Sequence, residues 1–157
     1  MATLYGDQYQ DAFVDKPSTK IAPGDVSGVP KFMYFSYTVT AAPSNGDVIK
    51  LGKLPKGAKV KNAVMQFPDL GTAGVLNLGW AAGAAAVEAA DADGLLVSVD
   101  VATAADAVSM QSQMEASGAN AGFLKEFAEE VEVQIDVATA WTAVAGTIKG
   151  YVEYIDV

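Results

Sequence analysis

The stretch EVEVQIDV (residues 130–137) decides the fold class, because apolar and polar side chains alternate at every position. Successive side chains of a strand point to opposite faces of the sheet, so this alternation is typical of a strand with one buried face. The apolar set is Val131, Val133, Ile135 and Val137, and the polar set is Glu130, Glu132, Gln134 and Asp136. The stretch therefore predicts a β-strand that covers a hydrophobic core.

Other segments of strand length lie on both sides of this stretch. They are FMYFSYTVT (32–40), DVIKLGKL (47–54), AKVKNAVMQF (58–67), GVLNLGW (74–80), LLVSVDV (95–101), AVSMQSQM (107–114) and TIKGYVEYIDV (147–157). The first of them places Met33, Phe35, Tyr37 and Val39 on one face and Ser36, Thr38 and Thr40 on the other. In 58–67 the apolar positions change parity between Val60 and Ala63, which predicts a β-bulge near Asn62.

Turn residues separate these segments. Asn45-Gly46 is a strong β-hairpin signal, and Pro55-Lys56-Gly57 turns the chain again. The stretch AAGAAAVEAADADG (81–94) allows at most a turn or two of helix before its Asp-Ala-Asp-Gly end. The pattern predicts an all-β antiparallel β-sandwich or jelly roll in residues 32–157. Both architectures stay open, because spacing does not give the strand order.

The composition excludes several classes of function. The chain has no Cys, no His and no Arg, and all ten basic residues are Lys. Thiolate and imidazole chemistry, disulfides and Cys or His metal sites are therefore absent. The net charge of −9 repels nucleic acid and anionic membranes, so neither is an expected partner. We predict no enzyme activity, no cofactor and no metal.

The charge is unevenly distributed along the sequence. Residues 1–61 carry eight Lys and five acidic residues, whereas residues 62–157 carry two Lys and fourteen acidic residues. The main basic concentration is a predicted hairpin with Lys50, Lys53, Lys56, Lys59 and Lys61. These lysines would either protect a sheet edge or dock onto an acidic protein surface.

Residues 1–31 form a predicted extended N-terminal arm. They contain Pro17, Pro23 and Pro30 and show no sustained helical or strand period. Their aromatic residues Tyr5, Tyr9 and Phe13 are candidate anchors for pockets on a partner protein. The segment has neither a basic leader nor an apolar signal core, so we expect the chain to fold in the cytoplasm of the cell that makes it.

Two acidic groups could in principle carry chemistry. Asp91-Ala-Asp-Gly94 resembles the start of a calcium loop, but the remaining ligands of such a loop are missing, which favours an acidic surface turn. Acidic residues of the second group could supply a general acid and base for glycoside cleavage, although their parity favours a solvated face. This second group is Glu126, Glu129, Glu130 and Glu132.

Residues 46–101 resemble a family of small structural proteins of tailed phages, described as decoration, cement or head-stabilising proteins. The resemblance lies in "I-x-L-G-x-L-P-x-G-A", "D-L-G-T-x-G" and "L-x-L-G". The matching residues are Ile49, Leu51, Gly52, Leu54, Pro55, Gly57 and Ala58, then Asp69, Leu70, Gly71, Thr72 and Gly74, then Leu76, Leu78 and Gly79. These motifs are strand-and-turn scaffolding, and the clear match covers about a third of the chain.

The resemblance implies a non-enzymatic β-sandwich of the virion, bound to the outer capsid surface. It implies the major capsid protein as partner and a homo-oligomer, with a trimer favoured. A tail or neck location stays open. The alternative is a carbohydrate-directed β-sandwich, either a module that binds host glycans or a glycosidase, in which Trp80 and Trp141 would stack on sugar rings.

Overall fold

A computed structural model of the protein describes residues 28–102, 105–113, 121–142 and 145–156. Its elements are β1 (Lys31–Val39), β2 (Val48–Leu54), β3 (Ala58–Phe67), β4 (Val75–Trp80), β5 (Asp91–Asp100), β6 (Asp106–Ser109), α1 (Met110–Gln113), β7 (Val131–Thr139) and β8 (Gly146–Asp156). Among these residues, no helix has the length and apolar character needed to cross a membrane.

The eight strands form two antiparallel four-stranded sheets. The first sheet has the order β1-β8-β3-β6, and the second has the order β2-β7-β4-β5. The chain changes sheet at every connection except that from β4 to β5. This is the strand order of a jelly roll, so the predicted all-β sandwich is confirmed.

The inner faces of the two sheets supply one hydrophobic core. On β7 the predicted alternation is confirmed, because Val131, Val133, Ile135 and Val137 are buried and the residues between them are only half-buried. On β3 the buried positions are even-numbered up to Val60 and odd-numbered from Ala63 onward. The pairing with β8 shifts register between Val60 and Asn62. The bulge predicted near Asn62 is therefore present, and it keeps the apolar side chains of both halves of β3 in the core.

The hairpin prediction at Asn45-Gly46 is wrong, although the turn itself forms. Gly46 has a φ of 83°, and the Asp47 N–H donates to the carbonyl of Ser44 at 3.1 Å. The Gly46 N–H also donates to the carbonyl of Val137 on β7 at 2.9 Å, which directs the chain into the second sheet. β1 and β2 therefore lie at the edges of different sheets.

The segment AVSMQSQM is a strand only as far as Ser109. There Ser109 and Ser112 cap each other, because the Ser112 N–H donates to Ser109 Oγ at 3.1 Å and the Ser109 N–H donates to Ser112 Oγ at 3.2 Å. This exchange begins α1. Gln113 then bonds both backbone groups of Val97, at 3.0 and 2.7 Å, and fixes α1 against β5.

Two glycines of the phage-like motifs have clear backbone roles. Gly57 has a φ of 83°, a left-handed conformation that glycine adopts without strain. At Gly79 an added Cβ would lie 2.0 Å from the carbonyl oxygen of Asp91, so β4 and β5 approach too closely for a side chain. These motif residues therefore shape turns and strand packing.

Candidate partner-binding surfaces

The five lysines of the predicted hairpin lie on two different sheets. Lys50 and Lys53 belong to β2, Lys56 lies in the turn after it, and Lys59 and Lys61 belong to β3. Because β2 pairs with β7 and β3 pairs with β8 and β6, there is no β2–β3 hairpin, and that prediction is wrong. The lysines are therefore divided between an edge strand of one sheet, a turn and an inner strand of the other sheet.

Two of these lysines are paired with glutamates of the neighbouring strand. Lys50 Nζ lies 2.9 Å from Glu132 Oε2, and Lys53 Nζ lies 2.6 Å from Glu130 Oε1. The hydrogen bond and the charge of Glu130 raise the pKa of Lys53 above its usual value. β2 is an edge strand, so these pairs fit edge protection, while Lys56 stays exposed in its turn. A docking role for the five lysines stays a prediction.

The predicted arm anchors Tyr5, Tyr9 and Phe13 lie outside the described residues. Their role as partner-binding residues stays a prediction.

Glu129 holds the alanine-rich loop of residues 81–90. Its carboxylate accepts backbone N–H groups from Ala85 at 2.8 Å, Val87 at 2.7 Å and Glu88 at 2.8 Å. The hydrogen bond from the Glu88 N–H is the main cause of the lowered pKa of Glu129, and desolvation acts against it. One carboxylate therefore holds three backbone N–H groups of a loop whose alanine side chains offer no polar groups.

Glu88 makes the reciprocal contacts from the loop to residues 121–130. It is 7% exposed, accepts the Ala128 N–H at 2.8 Å and lies 2.8 Å from Lys125 Nζ. The hydrogen bond from Lys125 is the main cause of the lowered pKa of Glu88. We call Glu88, Glu129 and Lys125 the carboxylate clamp. A general acid needs a raised pKa, so these carboxylates are tuned in the opposite direction.

The four glutamates proposed for glycoside cleavage have structural contacts. Glu129 belongs to the clamp, and Glu130 and Glu132 pair with lysines of β2. Glu126 makes an isolated β-bridge with Lys59 of β3. These contacts favour the interpretation as structural and surface residues over an acid–base pair.

The predicted acidic surface turn at Asp91–Gly94 is wrong, because these residues begin β5. Burial and a hydrogen bond with Asp93 raise the pKa of Asp91, with burial as the larger cause. Among the described residues there is no group of three or more possible metal ligands.

Both tryptophans proposed for sugar stacking belong to the core. Trp80 is 2% exposed, and Trp141 is 4% exposed. The Trp80 ring packs edge-on against Phe127 with the ring centroids 5.0 Å apart, and its Nε1 donates to the Ala89 carbonyl at 2.9 Å. Neither ring presents a face to solvent, so that part of the carbohydrate hypothesis is wrong.

Sequence reasoning missed an exposed aromatic patch, which we define as Phe32, Tyr34 and Tyr151 on the outer face of the first sheet. Phe32 is 44% exposed and Tyr34 is 72% exposed. The Phe32 ring stacks on Tyr34 at 5.8 Å and meets Tyr151 edge-on at 5.5 Å between centroids. The signal was available, because the period of two that turns Met33 and Phe35 toward the core turns Phe32 and Tyr34 outward.

No protein-family model and no curated protein matches the sequence. Two solved structures do match. The chain has the fold of phage capsid chains. A chain of "Capsid of Ralstonia phage GP4" is 24% identical, with a TM-score of 0.65 over 83% of this chain and 86% of that one. A chain of "Cyanophage Pam1 capsid asymmetric unit" is 24% identical, with a TM-score of 0.64 over 93% of this chain and 99% of that one.

Proposed function

We propose that this chain is a non-enzymatic structural protein of a phage virion, a decoration or cement subunit on the outer capsid surface. It binds across neighbouring major capsid protein subunits and stabilises the shell. The observation that supports this most is the shared fold, which covers 83% and 93% of this chain and 86% and 99% of two chains from phage capsids.

The properties of the described surface fit a binding protein. The carboxylates with lowered pKa values hold loops, and the paired lysines protect an edge. Exposed aromatic area remains at the aromatic patch, and aromatic side chains are enriched where protein surfaces bind each other. The predicted arm, with Tyr5, Tyr9 and Phe13, adds further candidate anchors.

The subunit stabilises the shell by mass action. A protein that binds the assembled shell, but not its separated subunits, shifts the equilibrium toward assembly. The subunit acts as a homo-oligomer, with a trimer favoured, so that one oligomer contacts several shell subunits at once. Several weak contacts made together give a stronger attachment than any one of them.

The test compares particles with and without this protein. Particles that lack it should rupture at lower temperature and under milder osmotic shock, and re-addition of the purified protein should restore the threshold. Electron microscopy of both particles locates the subunit. Equal rupture thresholds, or density on a tail or neck in place of the shell, would contradict the proposal. A glycan array probed with the same protein tests the carbohydrate alternative directly.

A further inference from the structure

The described structure has four edge strands, and three of them carry features that discourage another strand from pairing. β2 has a register shift between Lys50 and Gly52 and carries two lysines. β5 has register irregularities in its pairing with β4. β6 is only four residues long. Bulges, lysines and short length are the usual ways in which proteins protect free sheet edges.

β1 is neither short nor bulged, and its only lysine is at its first position. All nine of its residues pair with β8 without a register shift. Its one charged residue is Lys31 at the first position, and that ammonium group already bonds the carboxylate of Asp156. A long and regular edge strand whose one charge is already paired is a template for an added strand. The aromatic patch lies on the outer face beside this edge, so an added strand would find both backbone hydrogen bonds and apolar contacts.

The N-terminal segment of the chain has the composition and length to supply such a strand. Residues 5–14 (YGDQYQDAFV) contain Tyr5, Tyr9 and Phe13 and no proline, and ten residues match the nine of β1. Thirteen further residues separate this stretch from Gly28. Fully extended, they span roughly 45 Å, which is enough to reach an adjacent copy of a domain this size.

The residues just before β1 disfavour the simplest return of this segment to its own strand. A two-residue hairpin turn needs a positive φ at its first central position, and often at both. Val29 and Pro30 would occupy these positions, but proline is fixed at negative φ and holds the preceding residue extended. Val29 is 76% exposed, so the chain enters β1 from solvent.

We propose that the free edge of β1 and the aromatic patch bind the N-terminal segment of a second copy of this chain, which adds as a fifth strand of the first sheet. Each copy gives its segment to the next copy and receives one from the copy before it. Such head-to-tail contacts form a ring when the rotation between copies closes, as it does in a trimer. This inference rests on the homo-oligomer of the proposed function and states how its copies contact each other. Its test needs only purified protein, so the strand exchange and the role on the shell can be contradicted independently.

The test uses the full-length chain and two variants in sedimentation velocity over a range of concentrations. The patch variant carries Phe32→Ser and Tyr34→Lys, and the arm variant carries Tyr5→Ser, Tyr9→Ser and Phe13→Ser. Each variant should associate at least about 10-fold more weakly than the wild type, because buried aromatic anchors dominate such contacts. Val48→Lys on the edge of β2 is the matched control, since Val48 is 45% exposed and lies outside the patch.

Mixing the two variants gives the decisive result. The patch variant has an intact arm and the arm variant has an intact patch, so an equimolar mixture should form a 1:1 pair while each variant alone stays monomeric. Circular dichroism and thermal unfolding check that both variants fold.

Two outcomes would overturn the proposal. If the arm variant associates as well as the wild type while the patch variant does not, β1 pairs with β1 of a second copy. If the wild type is a monomer at every concentration, the edge and the patch belong to a different partner or to the segment of the same chain.

Discussion

The carboxylate clamp and the aromatic patch differ in whether the fold itself uses their side chains. In the clamp, Glu129 accepts three backbone N–H groups and Glu88 bonds both Ala128 and Lys125. In the patch, the three rings contact one another, and Phe32 and Tyr34 remain exposed. The same contrast separates β2, with its two lysine–glutamate pairs, from β1, whose one charged residue is Lys31 at its first position. On this protein, many charged groups stabilise the domain, and the clearest surface left for a partner is aromatic.

The largest expected effect is on the clamp. Glu88→Ala removes the buried partner of Lys125 and leaves the part-buried Ala128 N–H without its acceptor. We expect the free energy of unfolding to fall by about 2–3 kcal/mol, measured by denaturant unfolding. Glu126→Ala, an exposed glutamate of the same segment, is the control and should change it by no more than about 0.5 kcal/mol. Equal losses in both variants would mean that the clamp is not the stabilising feature.

The aromatic patch should show the reverse behaviour. Tyr34→Thr should lower the free energy of unfolding by no more than about 1 kcal/mol, because the ring is exposed and loses only its aromatic neighbours. Binding to shells stripped of the protein should weaken at least about 10-fold if the patch takes part in assembly. Denaturant unfolding and a re-binding assay on the same sample give both numbers. A strongly destabilised variant would contradict this and show that Tyr34, like the clamp residues, stabilises the fold.

The pH dependence of stability should depend on the clamp. The pKa values of Glu88 and Glu129 are lower in the folded protein than the ordinary value of 4.5. Such groups stabilise the fold above the pKa they have when unfolded, and this contribution is lost as the pH falls through the lower folded pKa. Stability should therefore fall below about pH 4.5. Glu88→Gln should flatten this fall in unfolding experiments across the acid range.

Asp91 provides a control of opposite sign for this pH dependence. Its pKa is raised, so it gains protons more readily in the folded state and opposes the acid loss. Asp91→Asn should leave the acid fall as steep or make it steeper. A flatter fall in this variant would show that the clamp carboxylates do not dominate the acid response.

The smallest expected effect is at the lysines. Replacing Lys53, Lys56 and Lys59 by Glu should slow re-binding to stripped particles a few-fold at low salt, and salt should remove the difference, because screening acts beyond about 8–10 Å. Lys149→Glu on β8 is the control. Wild-type rates at low salt would leave the lysines as edge protection, which the pairing of Lys53 with Glu130 already supports.

The sequence determined the strands and their buried faces. Alternation in residues 130–137 and the change of parity between Val60 and Ala63 predicted β7 and the bulge of β3, because a period of two leaves one choice of inner face. The same period also turned Phe32 and Tyr34 outward. The composition excluded Cys and His chemistry outright, since those residues are absent.

Only the tertiary structure decided which strands pair and which charges meet. The local sequence at Asn45-Gly46 predicts a hairpin, but the Gly46 N–H donates to Val137 on β7 of the second sheet. The local sequence cannot predict that partner, because Val137 is distant in the chain. In the sequence, Glu129 is one of a run of predicted surface acids. In the fold, its carboxylate accepts hydrogen bonds from residues 81–90. Among the described residues, β1 is an edge strand whose one paired neighbour is β8, from the far end of the chain. Strand order, ion pairs and free edges all depend on contacts between residues distant in sequence, so the two architectures left open by the spacing were separated only by the fold.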